Sequence, residues 1–313
     1  MAAEASSEMT VKAALMRSVD LEQASDTGRL DTEILLAFVL GKQRTWLYTW
    51  PDEPLSRVQQ QQFEACLQRR RHGEPVAYIT GRRAFWTFDL QVNPQVLIPR
   101  PETELLVELA LSYLADEKPT ADLNSDLDVE GCADSVADLG TGSGAIALAL
   151  ASERPHVRVV AIDRSEGALE VARANALEYG LNNIDFRAGS WCAALPARKF
   201  TMIVSNPPYI DRADPHLMQG DLRFEPASAL IAADQGLADI ETICQQASQF
   251  LKQGGILMLE HGYNQADAVR ALLQRYHYGE IKSCQDLAGH ERVTLASFRS
   301  GNTDSEREKL HAR

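Results

Sequence analysis

The sequence has too few cysteines, spaced too widely, to form a metal site or a disulfide framework. Its five cysteines are odd in number, and neither a C-x-x-C pair nor a zinc-like Cys/His spacing occurs. This pattern predicts a reduced, cytoplasmic protein that binds no metal. The opening residues MAAEASSEMTVK contain no apolar core, so we expect no signal peptide. No apolar run is long enough to span a bilayer, so we expect no membrane contact of that kind.

Basic residues are also in short supply. The chain has 31 Lys and Arg against 44 Asp and Glu, a formal net charge of -13. This acidic surplus disfavours broad contact with nucleic-acid phosphates or anionic membranes, so we expect no direct nucleic-acid partner. Two basic stretches, QRRRHG (68–73) and GRR (81–83), are candidates for a local patch. A solvated helix end, with cations near the negative pole of the helix dipole, explains them at least as well.

The 313 residues, 45% of them hydrophobic, are enough for roughly two domains. The first part predicts helices. One begins at an Asp31 N-cap and ends at Gly41, and another begins at Ser56 and ends at Gly73. The predicted apolar faces are Leu35, Leu36, Val39 and Leu40 in the first helix, and Val58, Phe63 and Leu67 in the second. We expect a helical domain over residues 1–77.

The middle of the chain changes character. Residues 77–99 are rich in β-branched and aromatic side chains and predict a β-hairpin or two short strands, which we treat as a linker over 78–99. Residues 100–117 predict a helix. Its expected buried face is Leu105, Leu106, Leu109 and Tyr113. The polar, acidic stretch 118–135 predicts a loop or insert.

Short apolar strands then alternate with helical patterns: SVADL, RVVAID, IDFRAG, TMIVS and GGILMLE. The alternation predicts an α/β fold, a parallel sheet with helices on both faces. Residues 279–298 predict an antiparallel edge hairpin that turns at Ala288-Gly289. We therefore expect one further domain over 100–300 and a flexible tail over 301–313.

A glycine loop lies between the first of these strands and its helix, in VADLGTGSGAIALALA (136–151). Gly140, Gly142 and Gly144 permit a tight turn that brings backbone N–H groups close to a ligand. The helix that follows adds the positive end of its dipole. Asp138, just before the loop, either orients the loop backbone or acts as a cap.

An acidic residue, Asp163, ends the next strand. A carboxylate about 20 residues after such a loop can accept hydrogen bonds from both hydroxyls of a ribose. Gly140-x-Gly142-x-x-Ala145 also fits the dinucleotide fingerprint, so a dehydrogenase remains open on these residues alone.

A second motif, SNPPYI (205–210), follows the apolar residues TMIV. Proline has a fixed φ and no N–H, so Pro207 ends the strand and keeps Asn206 out of helical geometry. Pro207 and Pro208 remove two donors and leave a rim rich in carbonyl groups. Asn206 adds a side-chain carbonyl and Tyr209 a flat face. This set fits a planar group that carries an NH2, with two acceptors for its hydrogens and a ring to stack on it.

Acceptors on those hydrogens favour the charge that builds on nitrogen as it attacks, the mirror image of an oxyanion hole. The combination of loop, acid and Asn-Pro-Pro-Tyr resembles S-adenosylmethionine-dependent amino-methyltransferases. Adenine N6, cytosine N4, guanine N2 and the glutamine side-chain amide all fit, and these four residues cannot choose among them.

The flanking sequence narrows the choice. Five stretches in this order resemble the peptide chain release factor N5-glutamine methyltransferases, the PrmC/HemK family: residues 75–108 around LIPRPETE, 138–151, GSWCAAL (189–195), SNPPYI and RFEPASAL (223–230). The resemblance covers nearly the whole chain. It implies a class I (Rossmann-like) methyltransferase sheet and S-adenosylmethionine as the cofactor. It also implies methyl transfer to N5 of the glutamine in the Gly-Gly-Gln motif of class-1 release factors, which the helical domain would dock.

The resemblance assigns roles to residues. Cofactor-binding residues are Gly140, Thr141, Gly142, Ser143, Gly144, Asp163, Trp191 (beside the adenine) and Asn206. The catalytic residues are Asn206, Pro207 and Tyr209, and together with Pro208 these bind the substrate amide. Arg100, Glu102 and Thr103 would line the site near the cofactor. Two features depart from the family pattern: the long acidic stretch near 121–135, and Cys192 where a bulky residue is usual.

Two rival functions remain to be weighed. One is an amino-methyltransferase that acts on a nucleic-acid base, at adenine N6 or guanine N2, which predicts steep salt dependence. The other is a cofactor-binding protein without turnover, which would have no need of an amine clamp. Trp191 can also be read as a core residue. We expect an in-line displacement without a general base and treat His261 as structural rather than catalytic.

Overall fold

The computed structural model describes residues 9–116, 134–218 and 220–299. They divide into two compact units. The first comprises the described residues up to Arg82 together with Pro215–Glu225, and the second comprises Arg83–Asp214 and the described residues from Pro226 onward. The segment Pro215–Glu225, which lies inside the expected 100–300 domain, thus clusters with the first unit. The predicted tail at 301–313 and nearly all of the predicted insert at 118–135 lie outside the described residues.

The first unit is helical. Its α-helices are α1 (Val11–Leu15), α2 (Gly28–Leu40), α3 (Arg44–Thr49), α4 (Arg57–Arg71) and α5 (Val76–Thr80), with 3-10 turns at Met16–Leu21, Pro215–Met218 and Gly220–Phe224. The helices share one apolar core. Its fully buried members include Val11, Leu21, Leu35, Leu36, Leu47, Phe63 and Leu67.

The predicted helix ends are confirmed at three positions and wrong at one. Gly41 ends α2 in the left-handed conformation, with φ 61°, and Ser56 caps α4 through a capping box. Gly73 follows α4 with φ 88°. Asp31, however, is not an N-cap, because α2 begins one turn earlier at Gly28. The buried Asp31 carboxylate instead accepts a 2.7 Å hydrogen bond from Arg70 Nε on α4, and this ion pair outweighs the local capping preference.

Two predicted core positions are exposed. Val58 is 62% exposed, because the buried stripe of α4 runs through Phe63, Cys66 and Leu67 on another face. Tyr113, the last residue of the helix Glu104–Tyr113, is 48% exposed, and the adjacent Leu114 is buried in its place.

The segment expected to hold only strands begins with a helix. Val76–Thr80 is helical, ended by Gly81 at φ 72°, with Ala77, Tyr78 and Ile79 buried. Pro75 before this helix and Gly81 after it are typical helix boundaries, and they decide the local structure in spite of the β-branched residues between them. The two short strands follow, as β1 (Arg82–Phe85) and β2 (Phe88–Gln91).

The second unit is built around a seven-stranded sheet. The strands are β3 (Ser135–Leu139), β4 (Arg158–Asp163), β5 (Ile184–Ala188), β6 (Phe200–Ser205), β9 (Leu251–Glu260), β10 (Tyr278–Gln285) and β11 (Glu291–Phe298), in the order β10-β11-β9-β6-β3-β4-β5. Strands β9-β6-β3-β4-β5 are parallel, and β11 runs antiparallel to both of its neighbours. The predicted α/β sheet and its C-terminal edge hairpin are therefore confirmed.

Helices and short elements complete this unit: α6 (Glu104–Tyr113), α7 (Ala145–Glu153), α8 (Glu166–Glu178), α9 (Ala227–Leu230), α10 (Ala233–Gly236), α11 (Ala238–Ala247) and α12 (Ala266–Arg275), with a small parallel pair β7 (Ile210–Asp211) and β8 (Ile231–Ala232). Successive residues along the central strands belong alternately to two apolar cores, one on each face of the sheet. Val136 and Met202 belong to one core, and Ala137 and Ile203 belong to the other. The central strands are thus buried on both faces, which explains their continuous apolar sequences.

Candidate functional site

The register of the parallel strands brings the sequence motifs to one edge. Leu139 pairs with Ile162 and with Ser205, and Ser205 pairs with Leu259. The residues that follow these positions therefore leave the sheet side by side, at the carboxyl ends where ligands bind in such folds. They comprise the loop from Gly140, then Asp163, Asn206 and Glu260.

The glycine loop has the predicted tight turn, and the amides of its three glycines donate within the protein. Gly140, Gly142 and Gly144 all have positive φ, at 76°, 55° and 86°. Gly140 N–H donates to the Ile162 carbonyl at 2.8 Å, and Gly144 N–H donates to the Thr141 carbonyl at 2.8 Å. The tight turn is thus present, and the approach of loop N–H groups to a ligand stays a prediction.

Asp163 connects this loop to the cleft beside it. Its Oδ2 accepts from Gly142 N–H at 2.9 Å and its Oδ1 accepts from Ser165 N–H at 2.9 Å. Each carboxylate oxygen has a second lone pair, so Asp163 can still accept from hydroxyls in the cleft. The cleft is open to solvent, and its lining includes Asp163, Trp191 and Asn206.

Trp191 forms one wall of the cleft. Its backbone is left-handed, with φ 48°. Burial raises the pKa of the nearby Asp239 carboxyl, and the proximity of the Trp191 indole favours its ionised form. A Cβ on Gly140 would lie 3.3 Å from the Trp191 ring, so this glycine leaves room for the indole. The ring also packs against the second core, so the structural and ligand-facing interpretations of Trp191 are compatible.

The Asn-Pro-Pro-Tyr segment lies at the same edge. Asn206 lines both the main cleft and a smaller neighbouring one, which also includes Thr103, Thr141 and Ser143. Asn206 Nδ2 donates to Thr103 Oγ1 at 3.1 Å. Pro207 and Pro208 are buried and Tyr209 is half-buried. Burial raises the pKa of Tyr209 above its usual range, so the phenol stays neutral.

The backbone of Tyr209 is held by residues that sequence reasoning missed. Gln265 Nε2 donates to the Tyr209 and Gln235 carbonyls, both at 3.0 Å, and Gln265 Oε1 accepts from Gly262 N–H at 2.8 Å. Gly236, with φ 84°, packs so tightly against the Tyr209 carbonyl that no Cβ fits there. The positions of Gln265 and Gly236 carry no recognisable motif, so only the fold reveals their role.

Two buried carboxylates belong to this edge. Asp138 is fully buried, accepts from Thr141 Oγ1 at 2.6 Å, and has its pKa raised by burial to about 7. Glu260 is 1% exposed, and burial likewise raises its pKa to about 7. The sequence analysis named Asp138 but missed Glu260. The signal that could have revealed Glu260 is its position as an acidic residue at the end of a predicted apolar strand.

Two other residues are not part of this constellation. His261 is buried, and its ring nitrogens bond Thr294 Oγ1 at 2.8 Å and the Gly262 carbonyl at 2.9 Å, a satisfied structural histidine. Cys192 is buried, which raises the pKa of its thiol to about 12. Among the described residues, no cluster of His, Cys, Asp or Glu is arranged to hold a metal ion. In that same part of the chain, no helix is both long and apolar enough to cross a membrane.

Two protein-family models match the two units in turn. The PrmC N-terminal domain family matches residues 18–81, and the Methyltransferase domain family matches residues 132–303. Among solved structures, a methyltransferase from Pyrococcus furiosus is similar over 69% of this chain and 91% of that chain, with 18% identity and a TM-score of 0.49. The matched domain and the sheet order define the chain as a methyltransferase of the class I fold.

Curated relatives give the family. The release factor glutamine methyltransferase of Salmonella typhimurium is 48% identical, over 91% of this chain and 97% of its own. Those of Escherichia coli (46%; 91% and 97%) and Vibrio cholerae (49%; 93% and 98%) are similarly related. The chain belongs to the release factor glutamine methyltransferase family, and the resemblance predicted from the sequence is confirmed.

Proposed function

We propose that this methyltransferase transfers a methyl group from S-adenosylmethionine to N5 of the glutamine in the Gly-Gly-Gln motif of class-1 release factors. The products would be N5-methylglutamine and S-adenosylhomocysteine. The observation that carries the proposal is the position of Asn206 on the wall of the cleft that also contains Asp163 and Trp191. A clamp for a planar NH2 thus adjoins a site with the groups that a nucleoside requires. The names of the relatives support glutamine as the acceptor and give no support to a nucleic-acid base.

The cleft fits the cofactor by its donors, acceptors and shape. Asp163 supplies a carboxylate for ribose hydroxyls, and Trp191 supplies an aromatic face for a purine. The loop of residues 140–144 would hold the methionine end. S-adenosylmethionine, when bound, supplies an electrophilic methyl group on a sulfonium.

The chain's own residues would act on the acceptor amide. Because Asn206 Nδ2 is bound to Thr103, its Oδ1 is the atom left to accept an N–H of the substrate. The Pro207 carbonyl would accept the other N–H, and the Tyr209 ring would stack on the amide plane. Held this way, the nitrogen gains positive charge at little cost as it attacks, and positioning supplies much of the rate. No general base is needed, since the nitrogen becomes acidic only once it is methylated and then loses a proton to solvent.

Expected partners follow from this function. A class-1 release factor would be the protein substrate, and the helical first unit would dock it. The arginines of the QRRRHG stretch do not form a free basic patch. Arg69 pairs with Glu74, Arg70 with Asp31 and Asp221, and Arg71 with Asp20 and Glu64. This supports a protein substrate over nucleic acid. A cytoplasmic location remains a prediction.

The test is transfer of labelled methyl from S-adenosylmethionine to a purified release factor. Asn206→Ala should lower turnover roughly 10²–10³-fold, by analogy with the loss of one oxyanion-hole donor, while binding of S-adenosylhomocysteine persists. Asn182→Ala, an exposed asparagine away from the cleft, is the matched control and should leave turnover unchanged. Near-normal turnover of Asn206→Ala would refute the assigned role. Label on DNA or ribosomal RNA instead of the release factor would refute the acceptor.

A further inference from the structure

Glu260 is a buried carboxylate that the proposed reaction does not yet use. It is the last residue of β9, one place beyond the pair Ser205–Leu259, and so it lies beside Asn206 at the end of the neighbouring strand. It is 1% exposed, and among the described residues its Oε2 has no hydrogen-bond partner. A carboxylate is rarely buried this deeply unless its position serves a purpose.

The groups around Glu260 form a directional relay. The carboxylate of Glu260 lies close to Thr103 and Asn206; burial raises its pKa, whereas both of these neighbours favour its ionised form. Thr103 is itself 4% exposed and accepts the 3.1 Å hydrogen bond from Asn206 Nδ2. A threonine hydroxyl has only one hydrogen to donate. When Glu260 is ionised it can only accept, so that hydrogen goes to Glu260.

The relay then decides which way the Asn206 amide faces. With its hydrogen committed to Glu260, the Thr103 oxygen can only accept, so Asn206 must present its NH2 to Thr103. Its Oδ1 is left for the cleft. A protonated Glu260 could donate to Thr103, which would free the threonine hydrogen for Asn206 Oδ1 and permit the reversed amide. A reversed Asn206 would present donors to a substrate NH2 that itself needs acceptors.

We propose that Glu260 is a positioning residue, which through Thr103 holds the Asn206 carbonyl oxygen toward the acceptor amide. The inference rests on the proposed function and adds a residue and a pH response to it. Ionised Glu260 supports the productive orientation, so turnover should fall as the pH drops below about 7. Arg292 favours the ionised form and Glu102 opposes it, while the neutral phenol of Tyr209 lies close by.

The experiment measures kcat against pH at saturating cofactor, for the wild type and for Glu260→Gln. Glutamine has the same shape but can both donate and accept, so it no longer forces one orientation of Asn206. We expect kcat at high pH to fall roughly 10–100-fold, as for other residues that orient a contacting side chain, and the acid limb of the profile to disappear. Glu170→Gln, which removes an exposed carboxylate on α8, should retain both kcat and the limb.

A second route keeps the inference testable if Glu260→Gln folds poorly. Thr103→Val breaks the relay in its middle, and Thr103→Ser restores the hydroxyl. Valine should lower kcat as much as Glu260→Gln does, the double variant should be no worse than either, and serine should recover most of the activity. Titration of Asp138, at the glycine loop, should appear in the KM for the cofactor rather than in kcat.

The outcomes separate the two claims. Wild-type transfer to the release factor, combined with unchanged kcat and an unchanged acid limb in Glu260→Gln, would overturn the role of Glu260 alone. Full activity of Thr103→Val would do the same. Absence of any transfer by the wild-type enzyme across the pH range would instead overturn the proposed function, and with it this inference.

Discussion

Replacing Gly236 with alanine should damage both stability and turnover, because two costs add at this position. The backbone there is left-handed, with φ 84°, which costs a non-glycine residue about 1–2 kcal/mol. A Cβ would also lie far inside contact distance of the Tyr209 carbonyl oxygen and 2.7 Å from Gln265 Nε2. Relief of that overlap requires a shift of roughly 1 Å and a further cost of about 1–3 kcal/mol.

The displaced group is the backbone of the proposed substrate clamp, so the effect should reach catalysis. A displacement of about 1 Å at a reacting site can lower turnover on the order of 10²-fold. Gly289→Ala is the matched control. Gly289 has nearly the same backbone, with φ 82°, but no protein atom lies within 4 Å of its added Cβ. It should show the backbone cost alone and keep normal kcat.

The assay is urea denaturation of both variants, followed by kcat on a release factor at saturating cofactor. We expect Gly236→Ala to be the less stable variant by about 1–3 kcal/mol and to lose most of its turnover. If the two variants were equally stable, or if Gly236→Ala kept wild-type kcat, the argument from the tight packing of Gly236 against Tyr209 would be refuted.

Three further predictions follow from the same contacts. Burial raises the pKa of Asp138 in the folded protein to about 7, above its value in the unfolded chain. Folding therefore favours the protonated form, and the free energy of unfolding should fall as the pH rises toward 7. Asp138→Asn should weaken this pH dependence in urea titrations at acid and alkaline pH, and an unchanged dependence would contradict the assignment. Trp191→Ala should weaken S-adenosylhomocysteine binding by about 1–3 kcal/mol in calorimetry, whereas Trp191→Phe, which keeps an aromatic ring, should bind more nearly like the wild type. An equal loss of binding free energy in the two variants would argue against stacking. Arg70→Met should cost about 3–5 kcal/mol in thermal unfolding, because the buried Asp31 carboxylate keeps the hydroxyl donors Ser25 and Thr27 but loses its cation. Asp221→Asn, at a half-exposed carboxylate, should cost under about 1 kcal/mol, and similar losses in the two variants would refute this division.

The strands of the sheet could be predicted from the sequence because each one is a short apolar run with turn residues on either side. Strands β3 and β4 were predicted with their observed bounds, since apolar runs buried on both faces leave no ambiguity about their ends. The hairpin turn at Ala288-Gly289 was equally clear from its turn residues. The loop, Asp163 and Asn206 followed, because residues after parallel strands must meet at one edge.

The failures occur where distant parts of the chain decide the outcome. Asp31 has a side chain typical of an N-cap, but its carboxylate accepts a hydrogen bond from Arg70, which is distant in the sequence. Glu260 is brought next to Asn206 only by the order of the strands. Gly236 has no turn motif to mark it, and its requirement for glycine comes from the Tyr209 carbonyl that packs against it. Contacts of this kind have no local signature, so pattern reasoning cannot find them.

The most direct test of the central claim is to locate the transferred methyl group. A purified class-1 release factor is incubated with the enzyme and S-adenosylmethionine, digested, and its Gly-Gly-Gln peptide fragmented in a mass spectrometer. The account predicts one methyl group on the side-chain nitrogen of that glutamine, and none on a release factor whose glutamine has been replaced. A methyl group on any other residue, or an unmodified peptide from a folded release factor and a cofactor-bound enzyme, would contradict it.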